Sequence, residues 1–521
     1  MSSSQEKKNR RELAPEVSEK KYLAKLEEDK KKQRTRRNYI IAGVLLVLFA
    51  VFTIVMNSNI FYTGVTAVQS GDEDYNAADY EYVYITAFNN FHNQYSSYLS
   101  WLIDVTKPLD EQDCPMIEEG TWADYFESSA LQNLQTLTAQ YSAAKSAGYS
   151  LSEEDQATID EYVEMYQEYA ELYGYTLDKF LAANFGRGVD EETVRSMMEK
   201  SLIAAAYAED QYDSYSYTDE ELEKYYQENA ETYDLVEFLY VFVDGTAEET
   251  DLDGDGEPDE VTEEQTAESM KAAREIAEEI AKAESRESFE TLAEELAEEA
   301  TELSTPITSV SSLYSEWLGE DGRVEGDTHV AESGEGDYAI YYIGQDDNRY
   351  NTANVRHILI NVEDADEDGE LSEEEKQAAL AELEEIYDEW KNGEATEESF
   401  AELANKYSED EGSNTEGGLY EKIAIGDMVA PFEEFCFAGH EPGYTEIVYS
   451  ESTNYTGYHL IYYVGDGPLY RHVLADSALR TEDFSAWNEE LVAPFEAKTS
   501  SVPLWFANKE MSTLTYRMIS G

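Results

Sequence analysis

Apolar and aromatic residues recur at three- and four-residue spacings along residues 82–104, 122–147, 153–172 and 188–213, the period of one buried helix face. Strand-like alternation is almost absent between about Glu81 and Tyr233, so 81–234 is predicted to be an all-helical domain. Asp190, ahead of Glu191 and Glu192, reads as a helix N-cap with acids in the first turn. Residues 218–234 open as a Thr-capped helix and lead into a strand. Beyond them, short apolar strands alternate with long charged helices. VEFLYVFVD (236–244) lines up with VRHILINVE (355–363), SFETLA (288–293) with SFAELA (399–404), and YYIG (341–344) with YYVG (462–465). These landmarks keep their order at offsets of 119, 111 and 121 residues, which predicts a duplicated β–α–α–β domain.

Near the start the pattern is of another kind. Residues 39–56 (YIIAGVLLVLFAVFTIVM) form 18 positions without a charge, roughly 27 Å as a helix and close to the apolar thickness of a bilayer. KKKQRTRR before them is a positive flank of the sort retained in the cytoplasm. A cleaved signal peptide is the rival, but the run is long and no A-x-A site follows closely. No Cys follows to carry a lipid, so the helix itself is the expected anchor. The expected organisation is a basic cytoplasmic tail (1–37), a transmembrane signal anchor (38–57), a polar tether (58–80), the helical domain (81–234) and two related α/β domains (235–346 and 352–466). A C-terminal segment (467–521), with a helix near 482–497, a short strand and the apolar close VPLWFA (502–507), is expected to pack back on the helical domain. The fold class is α+β, in a single-pass protein with its N-terminus cytoplasmic and its bulk extracellular.

Charge sharpens this topology. The net charge of −78 over 521 residues divides into +6 for residues 1–37 and −84 for everything after Asn57. Such an exterior repels phosphate backbones and excludes nucleic acid as a partner. Forty-one Tyr, 18 Phe and 6 Trp exclude a wholly disordered acidic chain. Tyrosine-rich faces in the helical part suit helix packing or a promiscuous client-binding groove. Cys114 and Cys436 are too few for a disulfide scaffold; one bridge and two free thiols both fit.

The inserts after the two first strands carry a separate cation hypothesis. DADEDGELSEEE (364–375) fits the calcium-loop pattern, with Asp364, Asp366 and Asp368 at positions 1, 3 and 5 and Gly369 at the turn. Glu370 would offer its carbonyl, Ser372 stands at position 9 and Glu375 closes the loop. DLDGDGEPDEVT (251–262) begins alike with Asp251, Asp253 and Asp255, but Thr262 replaces the closing Glu and makes it the weaker site. Chance D-x-D-x-D-G in so acidic a chain is the competitor.

The second copy contains RHILI (356–360), FAELANKYSEDEGSNTEGGLY (400–420), GDMVAPFEEFCF (426–437) and TGYHLIYYV (456–464). In this order the four segments resemble the parvulin-type peptidyl-prolyl isomerases. The resemblance covers roughly 110 of the 521 residues and implies a catalytic set of His357, Asp410, Thr456 and His459. It implies Met428 and Phe432 as walls for the substrate proline ring, and places Gly417 and Gly418 in the substrate-binding region. Leu419–Tyr420–Glu421 departs from the family's usual D-L-G after the glycines, and the long acidic insert departs after the first strand. That insert occupies the place of the arginine-bearing loop of phosphate-directed relatives, so a non-phosphorylated proline after an apolar or small residue is the expected substrate. Rotation about X–Pro meets a barrier of about 18–20 kcal/mol and breaks no bond, so no cofactor is required. An apolar pocket and polar groups that favour the twisted amide suffice.

In the first copy Phe238 replaces His357, and the alignment sets Tyr338 opposite His459. Without a double glycine or M-x-x-P-F, this copy reads as an inactive module for peptide binding or spacing. The order of parts resembles the PrsA/SurA group of extracytoplasmic foldases, with 218–229 similar to their helix before the isomerase domain. The resemblance implies isomerisation of X–Pro bonds in secreted, unfolded polypeptides and holdase binding by the helical domain, in a Gram-positive bacterium. The alternative is a non-enzymatic holdase or calcium-dependent surface protein with a vestigial site.

Overall fold

The computed structural model describes residues 21, 30–32, 34, 36–51, 53, 59–104, 106–247, 261–320, 322–365, 369–452 and 455–512. Two compact units emerge, one of residues 1–214 with 484–521 and one of residues 215–483. Residues 36–51 are helical, and the large apolar side chains of 39–51 are exposed. Phe52 and residues 54–57 of the expected anchor lie outside the described residues. Among the described residues, no helix is long and apolar enough to cross a membrane.

In the first unit the helices fall close to where the periodicity places them: Ala77–Gln94, Trp122–Ala147, Glu153–Leu172, Leu177–Phe185 and Glu191–Asp213. Local chemistry explains their starts. Asn76 with Asp79, Thr121 with Asp124 and Ser152 with Asp155 form capping boxes, which satisfy backbone N–H groups that the first turn leaves unpaired. Asp190 caps the last helix by accepting from the Thr193 N–H. Tyr80, Tyr84, Phe88, Phe91, Trp122 and Phe126 fill the core.

The supposed tether is corrected: Thr66–Ser70 (β1) pairs antiparallel with Glu73–Asn76 (β2), and Ala67, Val68 and Tyr75 are buried. Polar composition hid two strands whose few apolar residues all face one core. Lys498–Thr499 (β11) returns to pair with β1. The apolar close is helical, within Ser501–Ser512, and Leu504 and Ala507 join the same core.

The second unit holds two four-stranded antiparallel sheets of the same strand order. One is β4–β3–β6–β5, built from Leu235–Asp244 (β3), Thr301–Pro306 (β4), Thr328–Glu332 (β5) and Gly336–Asp346 (β6). The other is β8–β7–β10–β9, built from Asn351–Asn361 (β7), Leu419–Ile423 (β8), Thr445–Glu451 (β9) and Thr456–Leu469 (β10). In each, two helices follow the first strand (Glu263–Ile280 and Arg286–Leu296; Glu373–Asn392 and Glu397–Tyr407), and a short helix follows the second. Strand alternation sends Ile358, Ile360 and Leu460 toward the long helices, against Leu383, Trp390 and Phe400. Val355, Ile461 and Tyr463 face the other way, onto the short helix Ala430–Phe437 with Phe432, Phe435 and Cys436.

Arg471 is a buried structural group. It sits over the Tyr226 ring at 4.1 Å and pairs with Asp347 at 3.1 Å and Glu223 at 3.5 Å. Its backbone N–H donates to Asn348 in the link between the two sheets.

Candidate active site

β7 carries His357 and β10 carries His459. The register pairs His357 with Ile461 and Leu359 with His459, which puts both imidazoles on the face shared with Phe432. Both are buried, with their Nδ1 atoms 3.1 Å apart and the rings stacked at 23°. Phe432 stands edge-on to both, at 5.4 Å and 5.3 Å between centroids.

Asp410 comes from the loop after Glu397–Tyr407. Its Oδ2 lies 2.9 Å from His357 Nε2 and accepts from Ser413 Oγ at 2.5 Å and Tyr420 Oη at 3.1 Å. The His357 hydrogen bond, helped by Ser413, holds this carboxyl well below the usual carboxylate range. An ionised carboxylate only accepts, so His357 Nε2 donates. Burial, followed by the neighbouring His357, pushes His459 down to about 3, so its ring is neutral at pH 7. Burial and Asp410 push the Tyr420 phenol up to about 12, which keeps it a donor.

Gly417 and Gly418 adopt φ of 72° and 70°, the left-handed region open to glycine at little cost. Gly418 passes hard against β7: a Cβ there would lie 2.1 Å from the His357 carbonyl oxygen. The Gly418 carbonyl accepts the His357 N–H at 2.8 Å, and Arg356 Nη1 donates to the Glu416 and Gly417 carbonyls at 3.0 Å each. Both glycines therefore hold the backbone behind His357. Met428 is half-buried and packs against the cluster that holds the buried Phe432.

Thr456 is half-buried at the start of β10, and its carbonyl accepts the Val362 N–H. No hydrogen bond joins the Thr456 hydroxyl to a described residue. The hydroxyl that reaches His459 is that of Tyr455, 3.2 Å from Nε2. Sequence reasoning missed Ser413, Tyr420 and Tyr455. The departure at Leu419–Tyr420–Glu421 was the available signal for the second; nothing in the spacing marked the others.

In the first copy the register pairs Phe238 with Tyr342 and Tyr240 with Ile340. Ile340, not Tyr338, therefore stands where His459 stands in the second copy. Counting back from YYIG and YYVG misleads because the two landmarks meet their partner strands two residues apart: Gly344 faces Glu237, whereas Gly465 faces Asn354, the counterpart of Leu235. Phe238 and Ile340 join Tyr314, Leu318 and Tyr342 in a continuous apolar cluster, which offers no counterpart of the histidine pair.

The calcium reading finds no support. Asp251, Asp253, Asp255, Asp366 and Asp368 lie outside the described residues. Glu375 Oε2 instead completes a capping box with Ser372, accepting its N–H at 2.8 Å, while Oε1 accepts from Ala365 N–H at 2.7 Å. Asp364 Oδ2 accepts from the Gly369 N–H at 2.9 Å, and Glu370 is exposed. The S-x-x-E that looked like positions 9 to 12 of a cation loop is a helix start. Among the described residues, no three His, Cys, Asp or Glu side chains cluster as a metal site. Cys114 and Cys436 are both free, buried thiols.

A buried, hydrogen-bonded histidine pair beside the ring of Phe432, on this four-stranded sheet, defines a parvulin-type peptidyl-prolyl isomerase domain. Residues 357–465 match the PPIC-type PPIase (Rotamase) domain family, and this part of the chain is a peptidyl-prolyl cis–trans isomerase domain of that family. No curated protein matches the chain. Solved structures similar to it include the peptidylprolyl isomerase PrsA of Bacillus cereus, at 19% identity over 62% of this chain and 94% of that one, TM-score 0.19. The foldase protein PrsA of Streptococcus pneumoniae is similar at 11% identity over 75% and 89%, TM-score 0.21. PrsA of Bacillus subtilis is similar at 17% identity over 58% and 86%, TM-score 0.18.

Proposed function

We propose that the chain is a membrane-anchored, extracytoplasmic foldase that isomerises X–Pro bonds in secreted polypeptides, with residues 352–466 as its catalytic domain. The single observation that carries the reading is the hydrogen-bonded set His459–His357–Asp410 beside Phe432. Met428 and Phe432 hold the proline ring. The polar set favours the twisted amide, whose nitrogen has lost its conjugation, over the planar one. No step makes or breaks a covalent bond.

The uncharged run at 39–56 and its basic flank support the anchor, with the N-terminus in the cytoplasm. Exposed Tyr162, Tyr169, Tyr173 and Tyr175 on the first unit support client holding. Acids of the insert between β7 and the following helix favour a non-phosphorylated proline.

The test is a proline-limited refolding assay with the purified full chain in detergent, beside Asp410→Ala and His459→Ala. Catalysis by the wild type that falls in both variants is expected. A wild type without catalysis would sink the enzyme reading and leave a holdase. For the holding role, suppression of client aggregation should survive both substitutions.

A further inference from the structure

The Nδ1-to-Nδ1 contact between the two histidines requires one proton, and its owner decides the polarity of the whole site. His357 Nε2 already donates to Asp410. His459, neutral at pH 7, carries a single proton, on Nδ1 or on Nε2. With that proton on Nδ1, facing His357, its Nε2 is a lone pair and needs a donor. The phenol of Tyr455, 3.2 Å away, is the group that reaches it.

We propose that Tyr455 is a positioning residue that fixes His459 in its Nδ1–H form, so that hydrogen bonds run in one direction from Tyr455 through His459 and His357 to Asp410. This inference rests on the isomerase reading of the same site and deepens it. Tyr455 stands just ahead of β10, where the Ser452 N–H donates to the Tyr455 carbonyl at 2.9 Å and the Tyr455 N–H donates to Ser452 Oγ at 3.2 Å. The opposite end is closed by Tyr420 and Ser413, both donating to Asp410. At one end the ionised Asp410 can only accept; at the other the Tyr455 phenol, able to donate or to accept, acts as the donor. If the proton of His459 moved to Nε2, the 3.1 Å contact would lose the proton that His459 places in it. The histidine pair would then lose the fixed geometry it presents to a twisting amide.

The experiment is nitrogen NMR of the histidine side chains in the full chain, wild type and Tyr455→Phe, with kcat/KM for a proline peptide measured on both. In the wild type, His459 should carry its proton on Nδ1. In Tyr455→Phe that single form should give way to a mixture, and kcat/KM should fall about tenfold, the worth of one hydrogen bond. A wild-type His459 protonated on Nε2 would overturn the proposal. So would a Tyr455→Phe chain that keeps both the Nδ1–H form and wild-type kcat/KM. An inactive wild type whose His459 shows the expected form, lost in Tyr455→Phe, would support the assignment while sinking the isomerase reading.

Discussion

Gly418→Ala tests how tightly the double glycine holds the catalytic strand. Its new Cβ would stand 2.1 Å from the His357 carbonyl oxygen, where such contacts are essentially never below 3.0 Å, so one backbone must move by at least 0.9 Å. Neither side yields cheaply, because the Gly418 carbonyl is also the acceptor for the His357 N–H. The φ of 70° adds roughly 1–2 kcal/mol of left-handed strain for any residue with a Cβ. With the displaced contact, a total destabilisation of about 2–4 kcal/mol is expected. A shift of about 1 Å at a positioned group can cost about a hundredfold in rate, so kcat/KM in a protease-coupled proline-peptide assay should fall by about that factor. Circular dichroism on the same sample checks that the variant is folded. A folded Gly418→Ala chain with kcat/KM within threefold of wild type would refute the claim that this glycine positions His357.

Phe432→Ala removes the ring that stands against both histidines. It should weaken proline-peptide binding, visible as a higher KM, and cost about 3 kcal/mol in stability; Phe432→Leu should show a smaller version of both. Arg471→Ala should destabilise the unit of residues 215–483 by about 2 kcal/mol, no more because the partner acids are partly exposed, and so lower its melting midpoint, while leaving kcat/KM unchanged. An unaltered melting curve would show that the Arg471 contacts carry no stability. Acid should weaken the isomerase domain in two steps. His459 is neutral when folded down to about pH 3, whereas the unfolded chain takes up that proton near pH 6.5, so stability falls as pH drops between those values. Asp410, held below its ordinary range, adds a further loss once pH passes below about 4. Urea unfolding followed across pH 3–7 should show midpoints decreasing monotonically toward acid, and His459→Gln should flatten the upper part of that curve.

The extent of what could be read before folding follows from the range of each interaction. Helix starts at Thr121, Ser152 and Asp190 use side chains three residues from the groups they cap, so their signal lies within one turn of sequence. The duplication was legible because strand and helix periods repeat in order, and both sheets have the same strand order. His357, Asp410, His459, Met428 and Phe432 were legible as a set through their motif, and the fold brings the two histidines and Asp410 within hydrogen-bonding distance. At Ser372 and Glu375 the same short spacing serves a capping box and fits the end of a cation loop, so sequence alone did not separate the two.

What the sequence by itself determined was local or periodic: the helices, the repeat, the charge division and the identity of the isomerase domain. Tertiary structure alone decided which donors converge on Asp410 and which hydroxyl meets His459. Ser413, Tyr420 and Tyr455 reach the histidine pair from a loop, a neighbouring strand and a turn, and no spacing in the chain encodes that meeting. Register likewise decided that Ile340 takes the place of His459 in the first copy, because YYIG and YYVG meet their partner strands two residues apart.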